Sequence, residues 1–207
     1  MSKKLVITEK PSVAGDIAAA LSIKKKHKGY FEGEDYLITW AIGHLLELQD
    51  PEDMDKKYKS WLLKDLPIIP QKFKWKVVSR TRDQYRVIQA LLKTEDVTSV
   101  INACDAGREG ELIFREIVER EKVKKPLERL WLSSMTHEAI RNGFDNLLPG
   151  SQFDGLADAA KSRSESDWLI GINGTRAVTK RLQSRAKRTV FSVGRVQTPT
   201  LSMLVER

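Results

Sequence analysis

The sequence predicts an α/β fold: a parallel-type sheet flanked by helices, followed by a mainly helical segment. Three features point to it. Short apolar runs rich in β-branched residues alternate with helix-period segments, the pattern of parallel strands joined by helical crossovers. Two of these runs, residues 4–8 and 97–104, pass at once into a helix start. Beyond Pro149 and Gly150 the strand signal stops and helical spacing takes over.

Taken in order, "KLVIT" (residues 4–8) is a buried strand and "PSVAGDIAAAL" a helix, with Pro11 in its first turn and alanines within. "YFEGEDYLITWAI" reads as a hairpin turning at Gly33. "LPIIPQKFKWKVV" is broken by prolines and then alternates as a strand from Phe73 to Val77. "RDQYRVIQALLK" is helical, with Tyr85, Ile88, Leu91 and Leu92 on one face. "VTSVINAC" is the next buried strand, "EGELIFREIVEREK" a helix and "LERLWLS" a strand. "THEAIRNGFDNL" is a helix with Thr136 as its cap and Glu138 in its first turn. Two helical stretches follow, "LADAAKSRSESDWLIGINGTRAVTKRL" and "GRVQTPTLSMLVER". The second has no capping signal at its end, as expected for a fragment. Residues 1–149 are expected to form one domain and 150–207 the beginning of another.

The 207 residues suffice for a real core, and the one cysteine can form no internal disulfide. There is no zinc-type Cys/His cluster, no secretory leader and no membrane-length apolar run, so a cytoplasmic protein is expected. Formal net charge is +8. Residues 151–207 carry ten Lys/Arg against five Asp/Glu, and Arg176 to Val205 holds seven basic residues and no acidic one. A polyanionic partner and a solvated basic helix face are both consistent with this.

In a parallel sheet, ligands bind beyond the carboxyl ends of the strands. Glu9 and Asp105 fall at two such ends, ninety-six residues apart. In "NACDAGREGELIFR" (residues 102–115), Asp105 and Glu109 are hard oxygen donors suited to Mg²⁺. Gly107 and Gly110 allow a tight turn near a phosphate, and Arg108 offers a fork of donors. The alternative is an acidic helix start complementing the dipole. Glu9 beside Lys10 reads either as a general acid with a phosphate clamp or as a surface ion pair. Cys104 reads as a small buried residue, and Trp40, Trp75 and Trp131 as core.

Together, "LVITEKPSVA" and "NACDAGREGELIFR" resemble a TOPRIM domain. "AIGHLLEL" (residues 41–48) is similar to another of its segments, and "FSVGRVQTPTLSMLVER" (residues 191–207) to the SxGRVQ signature of type IA DNA topoisomerases, most closely the bacterial topoisomerase III branch. The resemblance implies an isomerase in which a tyrosine cleaves one DNA strand through a 5′-phosphotyrosyl link, another strand passes, and the 3′-hydroxyl reseals the break. It implies that Glu9 assists proton transfer at the 3′-oxygen, that Lys10 stabilises the phosphate, and that Glu9, Asp105 and Glu109 hold Mg²⁺. Where the resemblance places the start of the DNA-gripping domain, Trp168 would stack on single-stranded DNA and Arg176 would meet phosphate. Ser192, Gly194, Arg195 and Gln197 would stand at a phosphate-binding turn, with Trp61 as a further stacker and Arg108 as a further contact. Core packing is the alternative for Trp61 and Trp168, and His44 would contact DNA or the acidic site, or be structural.

Two departures qualify this. The family run is Asp-x-Asp-x-Glu, but Gly107 stands at the middle aspartate, so one weakly held Mg²⁺ is expected. Neither Tyr30, Tyr36, Tyr58 nor Tyr85 lies in the family's Tyr-Pro-Arg-type context. The chain is therefore expected to be an N-terminal fragment, unable to cleave DNA alone, whose C-terminal partner carries the tyrosine at the bacterial nucleoid. A stand-alone TOPRIM nuclease or primase-like enzyme, and a DNA-binding module with a decayed metal site, are the competing readings.

Overall fold

The computed structural model describes residues 2–184 and 189–207. The elements in order are β1 (Lys3–Thr8), α1 (Pro11–Ala20), β2 (Lys25–His27), β3 (Tyr30–Glu32), β4 (Tyr36–Trp40), β5 (Leu46–Leu48), α2 (Pro51–Met54), β6 (Trp75–Val77) and α3 (Arg82–Leu92). Then come β7 (Val97–Ala103), α4 (Arg108–Arg120), β8 (Leu127–Arg129), α5 (His137–Asp145), β9 (Leu148–Pro149), α6 (Asp154–Leu182) and α7 (Gln197–Val205).

Seven strands form one sheet in the order β2-β3-β4-β1-β7-β8-β9. Its middle, β4-β1-β7-β8, is parallel, as the crossover pattern requires. Both margins are antiparallel: β2 and β3 continue the hairpin on one side and β9 returns along β8 on the other. The sequence reading had neither β2 nor β9, because three- and two-residue margins carry no period of their own. The strand read in "LERLWLS" is confined to Leu127–Arg129.

Side-chain alternation on the strands sorts the core into two layers. Leu5 and Ile7 of β1 join Val97 and Val100 of β7 against α3 and α4, through Tyr85, Ile88, Ile113, Phe114 and Ile117. Val6 and Ile101 face the other way, against Ala14, Ile17 and Ala18 of α1 and Ile140 and Phe144 of α5. Thr136 caps α5 as expected, its hydroxyl accepting from the Ala139 N–H at 3.3 Å. Trp131 departs from the core expectation: it is 42% exposed, stacked on Phe153 with ring centroids 5.1 Å apart. It lies just past the end of β8, where strand alternation no longer buries it.

The chain forms two compact units, residues 1–47 with 75–160, and residues 48–74 with 161–207. This differs from a single cut after residue 149. The reason lies in the proline-broken segment before β6, whose backbone polar groups are satisfied by side chains of α6. Asn173 receives the Ile68 N–H at 2.6 Å and donates to the Ile68 carbonyl at 3.0 Å. The Trp168 indole donates to the Gln49 carbonyl at 3.0 Å.

Candidate active site

Three parallel neighbours, β4, β1 and β7, end together, and the site is built on the loops that leave them. The register pairs Thr8 with Trp40 on one side and with Ala103 on the other, so the chain leaves all three strands at one level. Buried Thr8 shapes the exit from β1, its hydroxyl donating to the Lys10 carbonyl at 2.9 Å. Lys10 then stands at the N-cap of α1 and Pro11 at its first position, where a missing N–H costs nothing. After β4 the Ala41 N–H bonds the Thr8 carbonyl at 2.7 Å and the Gly43 N–H bonds the Glu9 carbonyl at 3.3 Å. Gly43 has φ 65°, a left-handed turn that favours glycine.

Glu9 and Asp105, expected to be neighbours from topology alone, are brought together by Lys10. Its ammonium lies 3.2 Å from Glu9 Oε1 and 3.4 Å from Asp105 Oδ2. Hydrogen bonding to Glu9, followed by the charges of Glu9 and Asp105, holds the ammonium above its ordinary range. Glu109, in the first turn of α4, is bound instead to His44: Oε1 accepts from His44 Nε2. His44 Nδ1 lies 3.4 Å from Glu116 Oε2. The Glu116 hydrogen bond, with help from Glu109, pushes His44 up to about 9 against the effect of burial. Burial pushes Glu116 up to about 6, with His44 opposing. Arg108 is exposed at the first position of α4.

Beneath this mouth lies a second polar cluster. Glu111, 1% exposed, accepts from Asn102 Nδ2 at 2.9 Å and from Arg115 Nε at 2.8 Å, and its Oε2 lies 3.4 Å from Arg129 Nε. Arg129, also 1% exposed, donates to the carbonyls of Asn102, Cys104, Leu130 and Asp105. It therefore fixes the backbone from which Asp105 projects. Sequence reasoning missed Arg129, Arg115 and Glu116. Arg129 could have been noticed as a lone cation in an apolar strand, and Glu116 by its spacing two turns along α4 from Glu109.

The glycines divide in their roles. A Cβ on Gly110 would meet the Asp105 carbonyl oxygen at 2.2 Å, so the turn's own backbone requires glycine there. Gly107 is extended, with φ 174°, and a Cβ would meet nothing within 4 Å. Cys104 is buried, and burial drives its thiol upward, as expected of a packing residue.

Two strand-end carboxylates sharing one cation suit a hard divalent ion, since Mg²⁺ is commonly held by one or two carboxylates together with water and phosphate. Among the described residues no three His, Cys, Asp or Glu side chains form a cage for a metal. The donor set thus fits an open site more than a closed one.

The expected DNA contacts separate. Arg176 is 4% exposed and donates to the Tyr58 carbonyl at 2.7 Å and to Glu52 at 2.8 Å, with its guanidinium 5.0 Å from the Trp61 ring centre. Trp168 packs edge-on against Phe73. Arg176 is thus buried and paired inside the protein, Trp168 is half-buried with its indole N–H engaged, and one face of Trp61 is covered. Ser192, Arg195 and Gln197 are exposed where the chain enters α7. The preceding extended stretch is pinned to α6, with the Val193 and Phe191 N–H groups donating to the Thr175 and Thr179 hydroxyls at 2.9 Å each. Gly194 is needed for neither space nor φ, and Arg195 Nε donates to Asp167 at 2.8 Å. Of the basic run after Arg176, Arg185, Lys187 and Arg188 lie outside the described residues.

This fold and site define a Toprim domain. The Toprim family model matches residues 4–135, and the chain belongs to that family. The bacterial DNA topoisomerase model matches residues 151–207. All 207 residues align with DNA topoisomerase 3 of Bacillus cereus at 50% identity and with that of Bacillus subtilis at 47%. The chain spans 28% of the length of each. It also matches the structure of full-length topoisomerase I from Thermotoga maritima, with a TM-score of 0.64 and 22% identity over 99% of this chain and 30% of that one. At that identity the likeness concerns the fold. No helix among the described residues is long and apolar enough to cross a membrane.

Proposed function

We propose that this chain supplies the N-terminal, resealing half of a type IA topoisomerase active centre acting on single-stranded DNA at the bacterial nucleoid. The observation that carries this reading is the Lys10 ammonium set between Glu9 and Asp105 at adjacent parallel strand ends. Lys10 meets the non-bridging oxygens of the scissile phosphate as a fixed positive charge. Glu9 gives a proton to the 3′-oxygen when the strand is cut and takes it back when the strand is resealed. Glu9 and Asp105, with Glu109, would hold one Mg²⁺, which would supply positive charge to the phosphate. The nucleophilic tyrosine belongs to another part of the enzyme.

Residues 150–207 begin the DNA-gripping part in this reading. Ser192, Arg195 and Gln197 face the strand, with Gly194 in the turn beside them. Arg176, Trp168 and Trp61 contribute by building the unit that presents them.

The test is relaxation of supercoiled plasmid by this chain fused to the C-terminal remainder of the Bacillus cereus relative. The fusion should relax DNA with Mg²⁺, and Lys10→Ala should slow it by about a hundredfold. The unfused chain should not relax DNA. Relaxation by the unfused chain, or full activity of Lys10→Ala, would overturn the proposal.

A further inference from the structure

Glu116 has no part in the chemistry just described, yet it is a carboxylate buried beside the site. It is 3% exposed, lies on the apolar side of α4, and its Oε1 is buried without a hydrogen-bond partner among the described residues. Its other oxygen, Oε2, lies 3.4 Å from His44 Nδ1.

The ring of His44 therefore stands between two carboxylates of one helix. Glu109 and Glu116 are seven residues, or two turns, apart on the same face of α4, and the imidazole bridges them through its two nitrogens. A histidine held at one nitrogen alone can turn its ring over. One held at both has its plane fixed. His44 takes only Oε1 of Glu109, which leaves the lone pairs of Oε2 for an ion.

We infer that Glu116 is a positioning residue: by fixing the His44 ring it holds Glu109 in an ion-binding orientation at the mouth of the strand-end site. The inference rests on the reading of Glu109 as an ion ligand. The backing carboxylate acts here as outer partners do at metal sites generally, where their loss costs about 10- to 100-fold in affinity.

The experiment combines two readouts on the 207-residue chain. The first is the ¹⁵N spectrum of the imidazole nitrogens, readily assigned because the protein has three histidines. The second is calorimetric titration with Mg²⁺. In Glu116→Leu, which removes the acceptor, the His44 Nδ1 signal should shift, and Mg²⁺ affinity should fall about tenfold. His44→Gln, on a partly exposed loop, should fall by the same factor and serves if the Glu116 variant does not fold. The double variant should be no weaker than His44→Gln alone, because both act through one ring. Unchanged or tighter Mg²⁺ binding in either single variant, or additive losses in the double, would overturn the inference. If the unaltered chain bound no Mg²⁺, the proposed function would fail instead. The inference would then be judged on the ring, and an Nδ1 signal unmoved in Glu116→Leu would overturn it.

Discussion

Glu109 and Glu111 stand two residues apart in the same helix turn and have opposite fates. The Glu109 side chain is 68% exposed and faces His44 at the mouth of the strand ends. Glu111 is buried and tied to Asn102, Arg115 and Arg129. The helical step of about 100° per residue sends one outward and the other under the sheet end. The comparison teaches that an acidic turn is two devices. One layer of charge fixes the backbone and the other faces the mouth of the strand ends, paired with His44 and Lys10.

The largest effect should come from breaking the lower layer. Glu111→Ala leaves Arg129 buried beside an empty place and should cost about 3–5 kcal/mol in urea unfolding. Glu109→Ala, at an exposed position, should stay within about 0.5 kcal/mol. Equal costs for the two would erase the distinction. Next comes Gly110→Ala, whose added methyl meets the Asp105 backbone and should cost about 1–3 kcal/mol.

The upper layer can be sharpened. Gly107→Asp places a carboxylate in open space on an extended backbone and should leave the unfolding midpoint nearly unchanged. It should tighten Mg²⁺ by about tenfold, since affinity follows the number of charged ligands. No gain in calorimetry would show that the missing middle aspartate does not set the affinity.

The smallest effect lies away from the site. Glu32 is bonded to Lys25, Lys3 and His27, which hold its carboxyl down at about 2. A depressed carboxylate stabilises the fold above its unfolded value of 4.5 and loses that contribution as pH falls toward about 2. Glu32→Gln should therefore flatten the acid limb of stability in that window, with little change in its shape above it.

Much of this was legible in the sequence. The crossover order and the strand ends followed from apolar runs and helix starts, and that order alone made Glu9 and Asp105 neighbours. The lower layer was only partly legible. Glu111 and Arg115 are an i,i+4 pair that helical spacing gives, but Arg129 and Asn102 reach Glu111 through strand register and helix packing, which a local pattern does not encode. Arg176 and Trp168 looked like DNA contacts for a related reason. A cation and an indole on a helix read alike whether they face solvent or, as here, close the backbone of a distant segment. Gly107 and Gly110 read alike as permitting a tight turn near a phosphate; the structure requires glycine only at Gly110, and the close approach there is that of Asp105's own carbonyl.

The most direct test of the two-layer account is calorimetric Mg²⁺ titration of the unaltered chain against Asp105→Asn. The account predicts one weak site in the unaltered chain and a loss of about tenfold or more in affinity for the variant, with the unfolding midpoint preserved. Equal binding by the two proteins would contradict it.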